Sequence, residues 1–247
     1  LFQQTYTISV THVRLSDGLE GGPKYLSSAI DLVNGGISIV NLPMLAGHST
    51  NVYINDFLAG NTVGSSFTFT GKNTDLRLPC RTDHCEPAPA GRLLTMWRGR
   101  VLVADGGVLW ASKPYQWELF DRRRDFKQFT SNITMLVTVD DGLYVGTEDT
   151  MYFLHGEEFD KLQLNQVGGG GVVLGSGVSI DGEKIRVGEG VGQGSAMMCI
   201  HNRQIVAGIA GGQLVRLTEG RYETDATEVW ATFRIRNGIP QYIAIPQ

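Results

Sequence analysis

Along most of the chain the apolar positions recur every second residue, and no sustained period of three to four appears. Tyr6, Ile8 and Val10 alternate with Thr7, Ser9 and Thr11, which predicts a strand with one buried face. Ser16-Asp17-Gly18 and Gly21-Gly22-Pro23 then break the pattern. Ile30 to Val33 and Ile37 to Val40 flank Asn34-Gly35-Gly36, and Asn-Gly between two such runs predicts a hairpin. Asn51 to Asn55 and Ser66 to Thr70 add further strands. Residues 1–70 therefore predict a small antiparallel β-sandwich. Residues 71–91 carry Lys72-Asn73-Thr74-Asp75, then Pro79, Pro87, Pro89 and Gly91, and predict a linker.

From Arg92 to the end, short apolar runs alternate with Asp-Gly, Gly-Gly and Asn-Gly turns. Val101–Ala104 followed by Val108–Ala111 compares well with Leu143–Gly146 followed by Met151–Leu154, at an offset of 42 residues. That offset falls in the ~40–50-residue window of four-stranded propeller blades. A third pair, Gln204–Ala207 and Gln213–Arg216, lies 61 residues further on, which leaves room for one irregular unit between. Residues 92–247 thus predict about three to four blades of an irregular β-propeller. A barrel or a second sandwich is the alternative. The chain ends in a predicted hairpin, Trp230 to Arg236 and Gln241 to Ile245 around Asn237-Gly238.

Composition agrees with an all-β reading. Glycine occurs 32 times in 247 residues, about twice the usual ~7%, as many tight turns require. The formal net charge is −4 and the isoelectric point is ≈ 5.7, whereas domains that grip nucleic acid through phosphates usually lie above about 9. No apolar run reaches the ~18–20 residues of a membrane-spanning helix. The chain begins without a methionine or a secretory leader, which is expected of a fragment or a matured product.

The chemistry-bearing motifs are sparse. Cys80 and Cys85 with His84 form a single pair, while a structural zinc site needs two; no metal is expected. Gly168-Gly169-Gly170-Gly171 and the alternating Gly188, Gly190, Gly192 and Gly194 fit no nucleotide fingerprint, so no cofactor is expected. Hydrolase motifs are missing, and Asp140-Asp141-Gly142 reads as a turn before it reads as an acid pair. Glu157, Glu158 and Asp160 are a second acidic cluster, with a solvated face as its ordinary role. No catalytic residue is assigned, and no enzymatic activity is expected.

The densest group of recognition-type residues lies between Lys113 and Phe126. Tyr115, Trp117 and Phe120 precede Arg122, Arg123 and Arg124, which are flanked by Asp121 and Asp125. The ordinary reading is blade core plus a solvated, internally paired patch. The sharper one is an inter-blade or inter-subunit contact, since aromatics and arginine are enriched at interfaces.

The run from Arg98-Gly99-Arg100-Val101 through Trp110-Ala111-Ser112-Lys113-Pro114 to Phe120, then Asp125-Phe126, resembles hairpins of tailed-bacteriophage tail proteins of the nozzle type. Asp141-Gly142-Leu143-Tyr144-Val145-Gly146-Thr147 and Gly212 to Glu219 extend the likeness, and Tyr6 to Asp31 resembles the opening strands of a fibronectin-type-III-like domain. The resemblance implies an irregular propeller, partial or completed by missing residues, beside a small sandwich. It implies a structural virion protein that forms a ring with itself around the DNA ejection path. Its partners would be other tail or connector proteins, with DNA passing unbound, and its place the virion after synthesis in the host cytoplasm. The alternatives are a propeller-type receptor- or carbohydrate-binding module and, more remotely, a propeller glycosidase.

Overall fold

The computed structural model describes residues 4–32, 35–72, 76–187 and 190–247. It is an all-β protein in two compact units. One runs to Pro87 and takes in Glu118–Arg123; the other comprises Ala88–Trp117 and Arg124–Gln247.

The first unit is a β-sandwich. Strands β1 (Gln4–Arg14), β2 (Lys24–Leu32), β4 (His48–Ile54) and β5 (Phe57–Thr62) form a sheet in the order β2-β1-β4-β5, and β3 (Ile37–Val40) pairs with β6 (Ser66–Phe69). The alternation read in β1 is real: Tyr6, Ile8 and Val10 are buried and meet Val52 and Ile54 of β4, Ile37 of β3 and Phe69 of β6. The hairpin expected across Asn34-Gly35 does not form. Asn34 lies outside the described residues; on either side of it β2 pairs with β1 and β3 pairs with β6, not with each other. Burying Ile37 against the sandwich core outweighs a local turn preference.

The stretch expected as a 71–91 linker is largely part of this unit; Asn73–Asp75 fall outside the described residues. Leu78 and Asp56 carbonyls accept from the amides of Leu58 and Cys80 at 2.7 and 2.8 Å, and the Thr82 hydroxyl donates to the Gly21 carbonyl at 2.7 Å. Strand β7 (Cys85–Glu86) pairs with β11 (Phe120–Asp121). Prolines here shape an added edge rather than a tether.

The second unit is propeller-like: its described residues form three four-stranded antiparallel sheets, arranged as blades, and a hairpin. The first blade is β8 (Leu93–Trp97), β9 (Arg100–Asp105), β10 (Val108–Ala111) and β12 (Phe126–Gln128). The second is β13 (Ile133–Val139), β14 (Gly142–Thr147), β15 (Thr150–His155) and β16 (Gln163–Gly169). The third is β17 (Val178–Asp181), β20 (Ser195–His201), β21 (Gln204–Gly208) and β22 (Leu214–Arg216), with a small insertion carrying β18 (Arg186–Val187) and β19 (Gly190–Val191); Gly188 is outside the described residues. The hairpin is β23 (Val229–Arg236) with β24 (Ile239–Pro246). The leading strands lie side by side, β8 by β13, β13 by β17 and β17 by β23, as around a propeller axis.

Each junction is an apolar layer. Leu102, Ala104 and Leu109 of the first blade meet Leu143, Val145 and Leu154 of the second. Tyr144, Met151 and Phe153 meet Met197, Cys199 and Val206 of the third. Ile180, Ala196 and Met198 meet Phe233 and Tyr242 of the hairpin. The expected third repeat is corrected by one strand: the counterpart of β9–β10 and β14–β15 is β20–β21, whereas Gln213–Arg216 lies on the fourth strand. Among the described residues the extra length between the two pairs is taken up by β16, β17 and the β18–β19 insertion. The insertion between β17 and β20 lengthens the third blade and hides the repeat.

Candidate functional site

The loop after β10 begins in a locked corner. The Ser112 side chain is fully buried; its hydroxyl accepts from the Val101 amide at 2.9 Å, and the Arg100 guanidinium donates to the Ser112 carbonyl at 2.7 Å. Asp125, also buried, pairs with Lys113 at 2.9 Å and Arg100 at 3.4 Å. The Gly99 carbonyl accepts from both the Tyr115 amide (2.8 Å) and the Trp117 indole (3.1 Å). Gly99 itself turns at φ 74°, and a Cβ there would stand 2.7 Å from the Tyr115 ring. Tyr115 and Trp117 thus sit on one turn, 78% and 53% exposed.

The other expected contact residues separate from them. Phe120 is fully buried, in β11 within the first unit, so its place among surface contacts is corrected: it is core. Arg122 pairs with Glu86 at 2.9 Å and Arg123 with the buried Asp121 at 3.3 Å, both inside the first unit. Arg124 is exposed in the second unit. The six residues are therefore divided between the two units.

Among the described residues three hollows gather charged side chains. One of ≈ 500 Å³ is lined by Thr134, Glu148, Asn202, Arg203, Thr224 and Asp225. Arg203 is committed there to Asp225 at 2.9 Å and Glu223 at 3.6 Å. A second, of ≈ 380 Å³, gathers Arg98, Asp141, Phe153, His155, Glu157 and Asn165. A third, in the first unit, is ≈ 340 Å³ and includes Glu20, whose carboxylate accepts from Thr11, Tyr53 and Asn51. Burial first, then the Glu20 carboxylate, pushes the Tyr53 phenol above its ordinary range.

The acid pair at 140–141 holds backbone. Asp140 accepts from the Ser195 amide and hydroxyl at 2.9 and 2.6 Å, which holds its carboxyl below the usual range, and Asp141 accepts from the Gly211 amide at 2.6 Å. Glu158 pairs with Lys161 at 2.7 Å. In the glycine tract the amides of Gly170 and Val172 are used by the Asp149 and Thr147 carbonyls, so they cradle no phosphate. All three cysteines are buried. Among the described residues no group of three or more Cys, His, Asp and Glu side chains is placed to hold a metal ion. No helix among them is long and apolar enough to cross a membrane.

The feature that sequence reasoning missed lies at the two ends of the blade series. On the outer face of the last hairpin Trp230, Ile239 and Ile245 are 71%, 61% and 59% exposed, and Ile243 shares that face. On one face of the first blade Leu94, Met96 and Phe126 are exposed and Val101 and Trp110 half-buried, around Val103, which is buried with Gly91 against it. The signal was present in Trp230, Ile243 and Ile245, large apolar residues on the strand parity that also carries Thr232, Arg234, Arg236 and Gln241.

No protein-family model and no curated protein matches the chain. Among solved structures, a chain in the crystal structure of BBS1N in complex with ARL6DN aligns with a TM-score of 0.40 and 10% identity. The alignment covers 86% of this chain and 58% of that one, so this chain spans little more than half its length. The architecture rests on the blade junctions described above.

Proposed function

We propose that this chain is a structural protein of a tailed-phage virion, which works by assembly rather than by chemistry. In this reading it forms a ring of the nozzle type around the DNA ejection path and joins other tail or connector proteins. The observation that carries the assembly reading is the set of large apolar side chains left open on regular strand faces, Trp230, Ile245, Leu94 and Met96 among them. Contiguous apolar surface on ordered elements marks a place that another protein covers. The phage assignment rests on the hairpin resemblance, and the net charge of −4 suits a duct that does not hold its cargo. The carbohydrate-binding alternative would use the ≈ 500 Å³ hollow, but no aromatic ring lines it for a sugar to stack on. Electron microscopy of the purified chain tests the proposal: closed rings are expected, and a uniform field of single particles at every concentration would refute it.

A further inference from the structure

The face of β1 and β4 turned away from the sandwich core carries Ser9 and Thr11 across from Tyr53 and Asn51. Ser9, Thr11 and Tyr53 are nonetheless buried. Glu20, bridged to Val13 of β1, is half-buried over this face. Its donors all meet one oxygen, Oε1: the Thr11 hydroxyl, the Tyr53 hydroxyl at 2.5 Å and the Asn51 amide at 3.0 Å. Asn51 is held in turn, its own oxygen accepting from Asn61 at 2.8 Å. Oε2 meets no donor among the described residues, and no described cation pairs with this carboxylate. The three donors are neutral, so they orient the carboxylate and leave its charge uncompensated.

Arg81 lines the same ≈ 340 Å³ hollow. It is exposed, and its guanidinium makes no hydrogen bond or ion pair with any described residue. Chain neighbours fix the two charges near each other. The Thr82 hydroxyl donates to the Gly21 carbonyl at 2.7 Å, and Gly22 approaches so closely that a Cβ would stand 2.1 Å from the Cys85 carbonyl. Leu58, Leu78 and Pro79 give the hollow an apolar wall. That wall is set by backbone bonds, Leu58 amide to Leu78 carbonyl at 2.7 Å and Cys80 amide to Asp56 carbonyl at 2.8 Å. We propose that this hollow binds a small zwitterion, an α-amino acid with an aliphatic side chain, its ammonium on Glu20 and its carboxylate on Arg81. A plain cation would meet Arg81 and a plain anion would meet Glu20, each at a cost; a molecule bearing both charges satisfies both through charge-assisted hydrogen bonds. Its side chain then has Leu58, Leu78 and Pro79 to lie against, and the volume is at the small end of the roughly 300–1,000 Å³ usual for ligand pockets. The site lies within the first unit and does not depend on assembly of the chain.

Isothermal titration calorimetry of the full chain with L-leucine tests the site. Leucine methyl ester, which lacks the carboxylate, and N-acetyl-L-leucine, which lacks the ammonium, serve as one-charge controls. Saturable binding of one leucine per chain is expected, with each control at least tenfold weaker. Arg81→Gln, at an exposed side chain without partners, should keep the parent's circular dichroism and melting temperature and lose at least tenfold in leucine affinity. Glu20→Gln keeps an oxygen for the three donors and should lose as much. No saturable heat with leucine at millimolar concentration would overturn the proposal and show that Arg81 closes onto Glu20 in solution. A methyl ester that binds as tightly as leucine, or an Arg81→Gln variant that binds leucine like the parent, would overturn the zwitterion and leave a site for cations alone.

Discussion

Trp230 on β23 stands directly across from Ile245 on β24, and both side chains lie in solvent on the outer face of the last hairpin. Cross-strand aromatic–aliphatic pairs stabilise a hairpin by about 0.2–1 kcal/mol, too little to explain so much exposed apolar surface. The opposite face of the same hairpin, through Phe233 and Tyr242, closes on the third blade. The hairpin thus packs on the third blade through one face.

Gly175 fixes how that hairpin joins the third blade. Its φ is +76°, and a Cβ would stand 2.1 Å from the Val229 carbonyl, beside the bond from the Val229 amide to the Leu174 carbonyl at 2.9 Å. Gly175→Ala should destabilise the protein by about 1–3 kcal/mol, from overpacking on backbone that cannot yield. Hydrogen exchange should show the loss in Val229–Pro246 before it shows in β13–β16. An unchanged melting temperature would count against this junction.

Tyr144 ties the second blade to the third. It is fully buried, and its hydroxyl donates to the Ile209 carbonyl at 2.5 Å and lies 3.1 Å from the Gln213 carbonyl. Tyr144→Phe keeps the ring and removes the donor to the Ile209 carbonyl, while the Gln213 carbonyl still accepts from the Ile209 amide at 3.1 Å, so a loss of about 1–3 kcal/mol is expected in urea unfolding. A loss below the precision of the measurement would show that water replaces the hydroxyl.

His201 makes stability depend on pH. It is buried on β20, its Nε2 has no hydrogen-bond partner, and Gly168 packs against its ring. Burial, and then the nearby Arg216 charge, hold its pKa below the ordinary value of 6.5. The unfolded chain therefore takes up a proton at a higher pH than the folded one. Its stabilising contribution is complete above about pH 6.5 and falls as the pH drops toward the lowered folded value. The melting temperature should decline between pH 7.5 and 5.5, and His201→Leu should flatten that decline. An equal slope in parent and variant would assign the dependence to other groups.

The thiols should report on folding. Cys80, Cys85 and Cys199 are buried, and burial raises the pKa of Cys80 and Cys199. Thiolates, not thiols, react, so a disulfide reagent should label none of the three in the native protein and all three in denaturant. Rapid native labelling of Cys80 or Cys85 would mean that the 76–87 edge opens readily.

What the sequence revealed was governed by local pattern. The alternation of Tyr6, Ile8 and Val10 located a buried strand face, and Asn237-Gly238 located the last turn, whose φ values of 50° and 74° suit that pair. The 42-residue echo exposed two blades because their inner turns have the same length. The rest depended on distant partners. Ile37 pairs with Phe69 rather than folding back on Ile30, and Phe120 joins Glu86, 34 positions earlier, so neither placement is written near the residue itself. The clustering of Tyr115, Trp117 and three arginines carries no sign that Glu118–Arg123 belongs to the other unit, because that assignment depends on the distant pairing of Phe120 with Glu86.

Sedimentation velocity of the unmodified chain across a concentration series tests the central claim most directly. The account predicts reversible growth from monomer to a closed species of defined size as concentration rises. A single monomeric boundary at every concentration the protein tolerates would contradict it.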